Sequence, residues 1–390
     1  MNFGGLIRGW YKKNRRDLPW RHTRDPYRIW LSEVILQQTR VSQGLEYYNR
    51  FIATYPDVVS LAEAGEDEVL KLWQGLGYYS RARNLHSAAK ELVAHRNGRF
   101  PDNYKALLGL RGVGVYTASA ISSICFKERR AVVDGNVSRV IARLFGVDEA
   151  INAAEGSRIV YSLAEQMLER DLPESGDPGI HNQAIMEFGA LQCVPISPRC
   201  EVCPLSDGCQ AYLSGRVDTL PVKIPKKRPT KRWFYFYILH GDGPHGDRRT
   251  IITRRGGNDI WKGLYQFPML ETNGPKDDLE ITGGMLQQLF EPSLISSGPA
   301  NARSRAAGNR ACGLSGANPP AEFRITMERI SPLIRHQLTH RTIQARFIHL
   351  KLSHLPSPMP DGWIAVPFAE LDNYPLPRLI DRYIKDAGRG

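Results

Sequence analysis

The sequence predicts a multidomain protein with an all-α first domain and a smaller α+β second domain. Over the first half of the chain the apolar residues recur at helical spacing, whereas beyond residue 232 they form aromatic and β-branched runs that are typical of strands. The chain has 390 residues, which is enough for two or three separate hydrophobic cores. The change of period therefore marks a change of fold class along the chain.

The helical domain is placed at residues 1–216 and the α+β domain at residues 232–390. The stretch 217–231 between them is rich in Pro, Lys and Arg and is predicted to be an extended basic linker, either lying along phosphates or serving as a solvated spacer. Residues 296–321 are poor in large apolar side chains, so we expect a mobile insertion there. Helices are predicted near residues 27–55, 57–74, 80–96, 102–110, 115–126, 136–145, 155–170 and 180–192, and strands at 232–240, 249–254 and 343–352.

The charge balance favours a polyanionic partner. The formal net charge is +12 and the isoelectric point is about 9.4, although charge alone does not distinguish DNA from RNA or from an acidic protein surface. No apolar run is long enough to cross a bilayer, and the basic N-terminus lacks the apolar core of a secretory signal. We therefore expect no membrane association and a cytoplasmic location, with the nucleoid as the site if the cell is bacterial.

Four of the six cysteines fall in one short loop with the spacing C-x6-C-x2-C-x5-C: Cys193, Cys200, Cys203 and Cys209. In a reducing compartment such a cluster is more typical of a metal site than of disulfides. Four thiolates suit either a tetrahedral zinc ion or an iron–sulfur cluster. Because a single compact loop supplies all four, we favour a [4Fe–4S] cluster over zinc.

Three short stretches hold further candidate residues. In WLSEVILQQTRV, Glu33 is the single carboxylate among large apolar residues, and it is either an exposed acid or an acid retained for chemistry. In LLGLRGVGVYTASAI, Gly112 and Gly114 either let backbone N–H groups approach a phosphate or form a turn between packed helices. In VVDGNVSRVIARLF, Asp134 or Asn136 could simply cap the helix that follows.

These stretches, in order with GLGYYSRARNLH and the four-cysteine loop, resemble the helix–hairpin–helix DNA glycosylases of the endonuclease-III superfamily. Within it, the chain is most similar to the MutY-type adenine DNA glycosylases from about Tyr11 to Cys209. The resemblance implies an all-α glycosylase domain with its hairpin at 107–121, an iron–sulfur loop at 193–209, and base excision repair on double-stranded DNA. Arg111 departs from the family, in which proline commonly precedes the hairpin glycines.

The same resemblance implies the catalytic roles. Glu33 would be the general acid that protonates adenine at N7, and burial among apolar side chains would raise its pKa so that it holds a proton near neutral pH. Asp134 would stay ionised and stabilise or transiently trap the oxocarbenium-like sugar, while Tyr116 and Asn136 orient the site. Tyr116 stands where strand-cleaving relatives have a Schiff-base lysine, so we expect a monofunctional glycosylase.

DNA contacts are implied as well. Tyr78 would fill the stack beside an extruded base, with Gln38 and Leu76 nearby, and Arg81 and Arg83 would contact phosphates or form a solvated basic face. The complete set of predicted DNA- and base-binding residues is Trp20, Arg21, Gln38, Thr39, Leu76, Tyr78, Gly112, Gly114, Gln183, Thr339 and His340.

The second domain resembles the MutT-like (Nudix) fold through RRGGNDIWKGLYQFPMLE. The residues after it lack the R-E-x-x-E-E pattern that holds Mg²⁺ in working pyrophosphohydrolases, so we expect a recognition role. By resemblance, Thr339 and His340 read 8-oxoguanine opposite adenine, which implies A:8-oxoG and A:G pairs as substrates of an enzyme that we expect to be monomeric.

Two other classes of protein stay open. An endonuclease-III-like glycosylase/lyase acting on pyrimidine lesions would share the first domain, but Tyr116 and the extra domain count against it. A non-catalytic iron–sulfur DNA-binding protein would require the two acids to be accidental, and base release would exclude it.

Overall fold

A computed structural model describes residues 1–225, 228–243, 246–257, 259–282, 324–357 and 359–387. The chain divides into two compact units, Met1–Lys226 and Lys227–Gly390. The insertion predicted at 296–321 lies outside the described residues. None of the helices in the described ranges is long and apolar enough to cross a membrane.

The described part of the first unit contains helices joined by loops and no β-strand. Its helices are α1 (Phe3–Asn14), α2 (Pro26–Leu36), α3 (Val41–Thr54), α4 (Val58–Glu63), α5 (Glu66–Leu72), α6 (Ser80–Arg96), α7 (Tyr104–Leu107), α8 (Val115–Phe126), α9 (Gly135–Phe145), α10 (Ala154–Asp171), α11 (Pro178–Leu191) and α12 (Gln210–Leu213). One hydrophobic core joins α1, α9, α10 and α11 around Met167 and Phe188.

Several features of this unit differ from the predicted segments. The segment 57–74 is two helices, α4 and α5, and within 102–110 only Tyr104–Leu107 is α-helical. The segment 27–55 is two helices, because the chain turns sharply after Leu36 and Gln38 adopts a φ of +56°. The helix α1 was not predicted, since three glycines lower the helical propensity of FGGLIRGWYKKN. It forms because the Asn2 side chain caps its first turn and because Ile7 and Tyr11 are buried against the core.

The second unit is built on an eight-stranded mixed sheet within the described ranges. Its strands are β1 (Thr230–Asp242), β2 (Arg248–Arg254), β3 (Tyr265–Gln266), β4 (Met269–Thr272), β5 (Ile325–Ile330), β6 (Ile334–Gln337), β7 (Arg341–Leu352) and β8 (Trp363–Pro367), and its helices are α13 (Asp278–Thr282) and α14 (Arg378–Ala387). The main path runs β3-β2-β1-β7-β5, with β1 and β7 parallel and the other pairs antiparallel.

Alternation along β1 and β7 builds two cores. On one face Phe236 stacks on Phe347, and Tyr383 of α14 stacks on Phe347 with ring centroids 3.7 Å apart. On the other face Tyr237 packs with Ile281 of α13. The sheet is therefore covered by a helix on each side.

The predicted linker begins as part of the helical unit. Ile151 N–H donates to the Val222 carbonyl at 3.0 Å, and Asn152 exchanges two hydrogen bonds with the backbone of Ile224. Arg143 Nε donates to the Leu220 carbonyl at 2.9 Å. Up to Ile224 the segment is thus anchored by hydrogen bonds rather than being a solvated spacer.

Candidate active site and DNA-facing turns

A cleft of about 1260 Å³ opens in the helical unit where the end of α2, the turn before α8, the start of α9 and one face of α11 converge. It gathers side chains that are up to about 170 positions apart in the sequence, from Arg16 to Ala190. Ten of the predicted site residues line it: Trp20, Arg21, Glu33, Gln38, Thr39, Gly112, Gly114, Tyr116, Asp134 and Asn136.

Glu33 lies on the buried face of α2 with 7% of its surface exposed. The hydroxyl of Tyr116, on α8, donates to its Oε2 at 2.6 Å. Burial raises the pKa of Glu33 to about 7, although the Tyr116 hydrogen bond and the positive charge of Arg21 oppose the shift and the charge of Asp134 adds to it. The carboxyl group therefore holds a proton over much of the range up to neutral pH.

Asp134 is the N-cap of α9. Its Oδ1 accepts from the backbone N–H groups of Asn136 at 2.8 Å and Val137 at 2.7 Å, and its Oδ2 accepts from Asn136 Nδ2 at 2.8 Å. Burial raises the pKa of Asp134, and these three donors oppose that shift because they stabilise the carboxylate. Glu33 accepts from one hydroxyl, so the two acids occupy different electrostatic environments in one cleft.

Arg139, on α9, connects this site to the cysteine loop. Its Nη2 donates to Asn136 Oδ1 at 3.0 Å and to the Gly189 carbonyl at 2.7 Å, and its Nε donates to the Cys193 carbonyl at 2.7 Å. The side chain of Asn136 is thereby held on both sides, by Asp134 and by Arg139.

Glu187 was missed by the sequence predictions. It lies on α11 and lines the cleft, with 1% of its side chain exposed. It accepts from Arg21 Nη2 at 2.6 Å and from the Arg16 side chain at 2.7 Å, so Arg21 is held by an ion pair while its Nη1 has no hydrogen-bond partner. The one signal in the sequence was an acid within the apolar run AIMEFGAL.

Gln183 does not line the cleft, unlike the other residues predicted around the base. Its Oε1 accepts from the hydroxyl of Tyr11 at 3.0 Å. The ring of Tyr11 lies 5.2 Å from the guanidinium of Arg21. Gln183 is therefore linked to the cleft indirectly, because Tyr11 contacts both Gln183 and the cleft residue Arg21.

The turn between α7 and α8 requires glycine at position 112. Gly112 has a φ of +75°, and a Cβ there would lie 2.6 Å from the side chain of Asn84. Gly114, by contrast, is the N-cap of α8 in a conformation open to other residues, with free space around the Cβ position. The two glycines leave the start of α8 uncovered, where backbone N–H groups can meet an anion.

Arg81 is a buried structural residue, and this burial contradicts both roles predicted for it, a phosphate contact and a part of a solvated basic face. Its exposed fraction is 9%, and burial lowers its pKa to about 10. Its Nη1 donates to the last carbonyls of α2, and its Nη2 faces the loop before α6. The acceptors are the carbonyls of Val34, Ile35, Gln37, Leu76 and Gly77 and the hydroxyl of Thr39, at 2.6–3.5 Å.

One guanidinium thus holds together the two turns that carry Gln38 and Tyr78. Both residues have positive φ, +56° and +47°, which is unusual for residues other than glycine and is costly unless surrounding contacts enforce it. Tyr78 is 40% exposed, whereas Leu76 beside it is buried. An exposed aromatic ring on a strained and braced turn is suited to insertion into a partner.

Three family models match the chain in order along its length. The HhH-GPD superfamily base excision DNA repair protein model covers residues 31–165, the iron-sulfur binding domain of endonuclease III covers residues 193–209, and the NUDIX domain covers residues 235–386. Among solved structures, a thermostable thymine-DNA glycosylase is 33% identical and covers 54% of this chain and 95% of its own, with a TM-score of 0.49.

The relatives found by sequence comparison define a narrower family than the three family models do. The adenine DNA glycosylase of Buchnera aphidicola subsp. Acyrthosiphon pisum is 33% identical over 268 residues, which span 68% of this chain and 73% of the relative. This chain belongs to the adenine DNA glycosylase family. The human adenine DNA glycosylase is 40% identical over 337 residues, which span 74% of this chain and 60% of the relative. The protein is therefore a DNA glycosylase of base excision repair.

The four cysteines of this glycosylase lie in an iron–sulfur binding domain, and the chain's own geometry is consistent with that group. All four line one cavity beside α9. Burial raises the pKa of Cys203 to about 11 and also raises those of Cys200 and Cys209, and the neighbouring thiols add to each shift. Bound iron would offset this cost because it holds thiolates. No three ligating side chains in the described ranges surround a single metal-ion position.

In the Nudix domain of this adenine DNA glycosylase, Thr339 and His340 are exposed at the tip of the hairpin between β6 and β7. Arg341, at the base of the tip, donates to Asp259 at 2.6 Å. Arg232 and Arg255 also donate to Asp259, which holds the pKa of that carboxyl far below its usual range, mainly through the Arg232 hydrogen bond. The tip therefore projects from a rigid base.

Proposed function

We propose that this adenine DNA glycosylase hydrolyses the N-glycosidic bond of adenine paired with 8-oxoguanine or guanine in duplex DNA. The observation that carries the proposal is the buried Glu33 with a pKa of about 7, in one cleft with the hydrogen-bonded carboxylate of Asp134. Two carboxyl groups in contrasting environments are the arrangement that glycosidic bond cleavage requires.

Glu33 acts as the general acid. Neutral adenine is a poor leaving group as an anion, so a proton must reach N7 as the bond between C1′ and N9 breaks. A carboxyl group with a pKa of about 7 is still protonated in a large fraction of molecules near neutral pH. The electron pair of the bond leaves with the protonated adenine, and Glu33 is left ionised.

Asp134 and Asn136 serve the sugar that remains. The departing base leaves positive charge on C1′ and the ring oxygen, and the carboxylate of Asp134 stabilises or transiently traps it until water supplies the hydroxyl group at C1′. Asn136 holds that carboxylate through its amide, and Tyr116 holds Glu33. Because the chain has Tyr116 rather than lysine here, the reaction ends at the abasic site.

The DNA contacts likewise divide into separate roles for the base stack, the extruded base and a phosphate. Tyr78 fills the stack left by the extruded adenine, with Gln38, Thr39 and Leu76 alongside. Trp20, Arg21 and Gln183 surround the base directly or through a neighbour, and the backbone around Gly112 and Gly114 holds a phosphate. Support comes from the exposure of Tyr78 and from the cleft that gathers most of the others.

Recognition of the opposite base belongs to the Nudix domain. The Thr339 hydroxyl and the His340 imidazole can hydrogen-bond N7–H and O8 of 8-oxoguanine, the groups that distinguish it from guanine. We further infer that Cys193, Cys200, Cys203 and Cys209 hold a [4Fe–4S] cluster, and that the enzyme works as a monomer on chromosomal DNA.

The test is release of free adenine from a duplex that holds one A:8-oxoG pair, measured under single-turnover conditions. The wild-type chain should release adenine without nicking the strand. Glu33→Gln should bind the duplex and release almost none, because an amide has no acidic proton to give. Glu46→Gln, exposed on α3, serves as the matched control and should behave as wild type. Near-normal release by Glu33→Gln would remove Glu33 from the mechanism.

A further inference from the structure

A second cleft, of about 460 Å³, lies within the Nudix domain between α14 and the corner that joins β5 to β6. Three arginines line it, Arg329, Arg335 and Arg382, together with Ser331 and His336. Asp386 is the single carboxylate among the lining residues, so the arginines leave an excess of two positive charges. The cleft is thus cationic as well as concave.

Two of these arginines are available to a ligand. Arg335 and Arg382 are exposed, and no described residue forms a salt bridge or hydrogen bond with either guanidinium. Elsewhere in the same domain arginines are paired with acids, as Arg232 is with Asp259 and Arg346 with Asp278. Unpaired guanidinium groups in a cleft are suited to bidentate recognition of phosphate oxygens.

The walls of the cleft are held in place. Tyr383, one residue after Arg382 on α14, stacks on Phe347 and bonds to His349 Nε2 at 2.8 Å. Arg335 projects from β6, which is paired with β7 from Ile334 to Gln337. Both arginines therefore extend from rigid backbone, which reduces the entropy that a ligand must remove.

The cleft lies close to the hairpin tip with Thr339 and His340, and this position favours DNA as the source of the phosphate. Strand β6 runs from the cleft at Ile334 to Gln337, and the tip with Thr339 and His340 follows immediately. Three residue steps along a strand span about 10 Å, which equals about three base steps along a duplex axis. A duplex that meets the tip is therefore within reach of Arg335.

We propose that this cleft binds a phosphate of the DNA backbone a few nucleotides from the base that the hairpin tip contacts. The choice of DNA as the source of phosphate rests on the proposed role of that tip. The cleft does not lie in the catalytic unit, so it adds affinity and fixes the position of the protein along the duplex without taking part in the reaction.

The test uses the full chain and an undamaged duplex, so that it does not depend on the proposed substrate. Arg335→Gln and Arg382→Gln are made singly and together, with Lys351→Gln, exposed on β7, as the control of equal charge change. Affinity is measured across a range of salt concentrations. The double variant should reduce the magnitude of the slope of log affinity against log salt by about 0.9, the contribution of one phosphate, and each single variant should reduce it by part of that amount, while Lys351→Gln leaves it unchanged.

A double variant with the wild-type slope would overturn the proposal, as would a Lys351→Gln variant with the same loss.

The other source of phosphate is tested by titrating inorganic phosphate and dGMP in the absence of DNA. Binding of either that vanishes in the double variant, with the DNA slope intact, would make the cleft a site for a free phosphate compound. If Arg382→Gln lowers the melting temperature, Arg335→Gln alone decides the result, because Arg335 is an exposed residue on strand β6. Adenine release by the wild-type chain is scored separately and tests the proposed function alone.

Discussion

Glu33 is seven positions into α2, and Tyr116, which donates to its carboxyl group, lies 83 positions further along the chain. Desolvation is the largest cause of the raised pKa of Glu33, and the Tyr116 hydrogen bond acts against it. The ionised form is favoured by that bond, because a hydroxyl donates more strongly to a carboxylate than to a carboxylic acid. Tyr116 therefore tunes the acid as well as orienting it.

Tyr116→Phe gives a prediction with a definite sign. Without the donor the pKa of Glu33 should rise above about 7, since the opposing contribution is lost. In the proposed mechanism the protonated form of Glu33 is the active one, so adenine release should fall as pH rises through that pKa. The alkaline limb of the rate profile should consequently move to higher pH. Tyr161→Phe, whose hydroxyl bonds to the Ala131 carbonyl away from the cleft, should leave the limb in place; a downward shift for Tyr116→Phe would contradict this account.

Among the elements, the end of α2 and the loop before α6 depend on one side chain. Arg81 supplies donors to carbonyl groups of both, including the last carbonyls of α2, which no N–H group within the helix can reach. The strained conformations of Gln38 and Tyr78 persist because these contacts over-determine the turns. If Tyr78 inserts into DNA as proposed, the same side chain that stabilises this part of the fold also fixes the DNA-binding turn.

Replacing Arg81 by Lys keeps the positive charge but removes the planar guanidinium group, so it shows which of the two the fold requires. One ammonium group cannot reach both turns, so some carbonyls lose their donor at a cost of about 1–3 kcal/mol in the free energy of unfolding. Affinity for duplex DNA should fall in parallel because the Tyr78 turn is no longer fixed. Denaturant unfolding and DNA titration are the two measurements, with Arg96→Lys, exposed on the same helix, as the control. A variant that kept wild-type stability and lost only DNA affinity would restore the phosphate-contact interpretation.

The cysteine loop is a second element with a measurable consequence. Four thiols lie around one cavity, and Arg143 Nη1 approaches Cys193 Sγ at 3.5 Å. Purified protein should be brown, with broad visible absorption and about four irons per chain. Cys200→Ser should bleach that absorption and lower the melting temperature, whereas Cys125→Ser, on α8, should keep the colour. A colourless protein that carries one zinc ion would refute the cluster assignment.

At the scale of the whole molecule, the proposed function places the chemistry and the selection of the base pair in different units. The acids lie in Met1–Lys226, and the hairpin tip with Thr339 and His340 lies in Lys227–Gly390. Substitutions in the tip should therefore change which adenine is removed without changing how it is removed. This separation makes selectivity testable by itself.

Replacing Thr339 and His340 together by Ala should reduce the preference for A:8-oxoG over A:G. The slower reaction on A:G should stay nearly unchanged, because Glu33 and Asp134 are untouched. Rates on the two substrates, measured under single-turnover conditions, give the ratio directly. Ser353→Ala with His354→Ala, exposed at the far end of β7, is the matched control. Equal loss on both substrates, together with a lower melting temperature, would assign the tip a structural role.

Much of this protein was open to prediction from its sequence, because the signals are local. Periodic segments such as 115–126 and 80–96 formed helices with the predicted bounds, since apolar spacing and caps act within a few residues. The residues Glu33, Tyr116, Asp134 and Asn136, which the family resemblance singled out, line one cleft in the structure, and their catalytic roles stay predictions. Even the strand runs at 249–254 and 343–352 were evident from β-branched alternation.

Tertiary structure alone decided the remainder. Burial raises the pKa of Glu33, pairing with Glu187 holds Arg21 in the cleft, and six oxygen acceptors from two separate turns make Arg81 structural. Helix α1 likewise forms against its own propensity because a core assembled from α9, α10 and α11 covers it. Local sequence encodes which residues can adopt a helix or donate a proton. Desolvation and long-range pairing, which set what those residues do, exist only once distant parts of the chain are packed together.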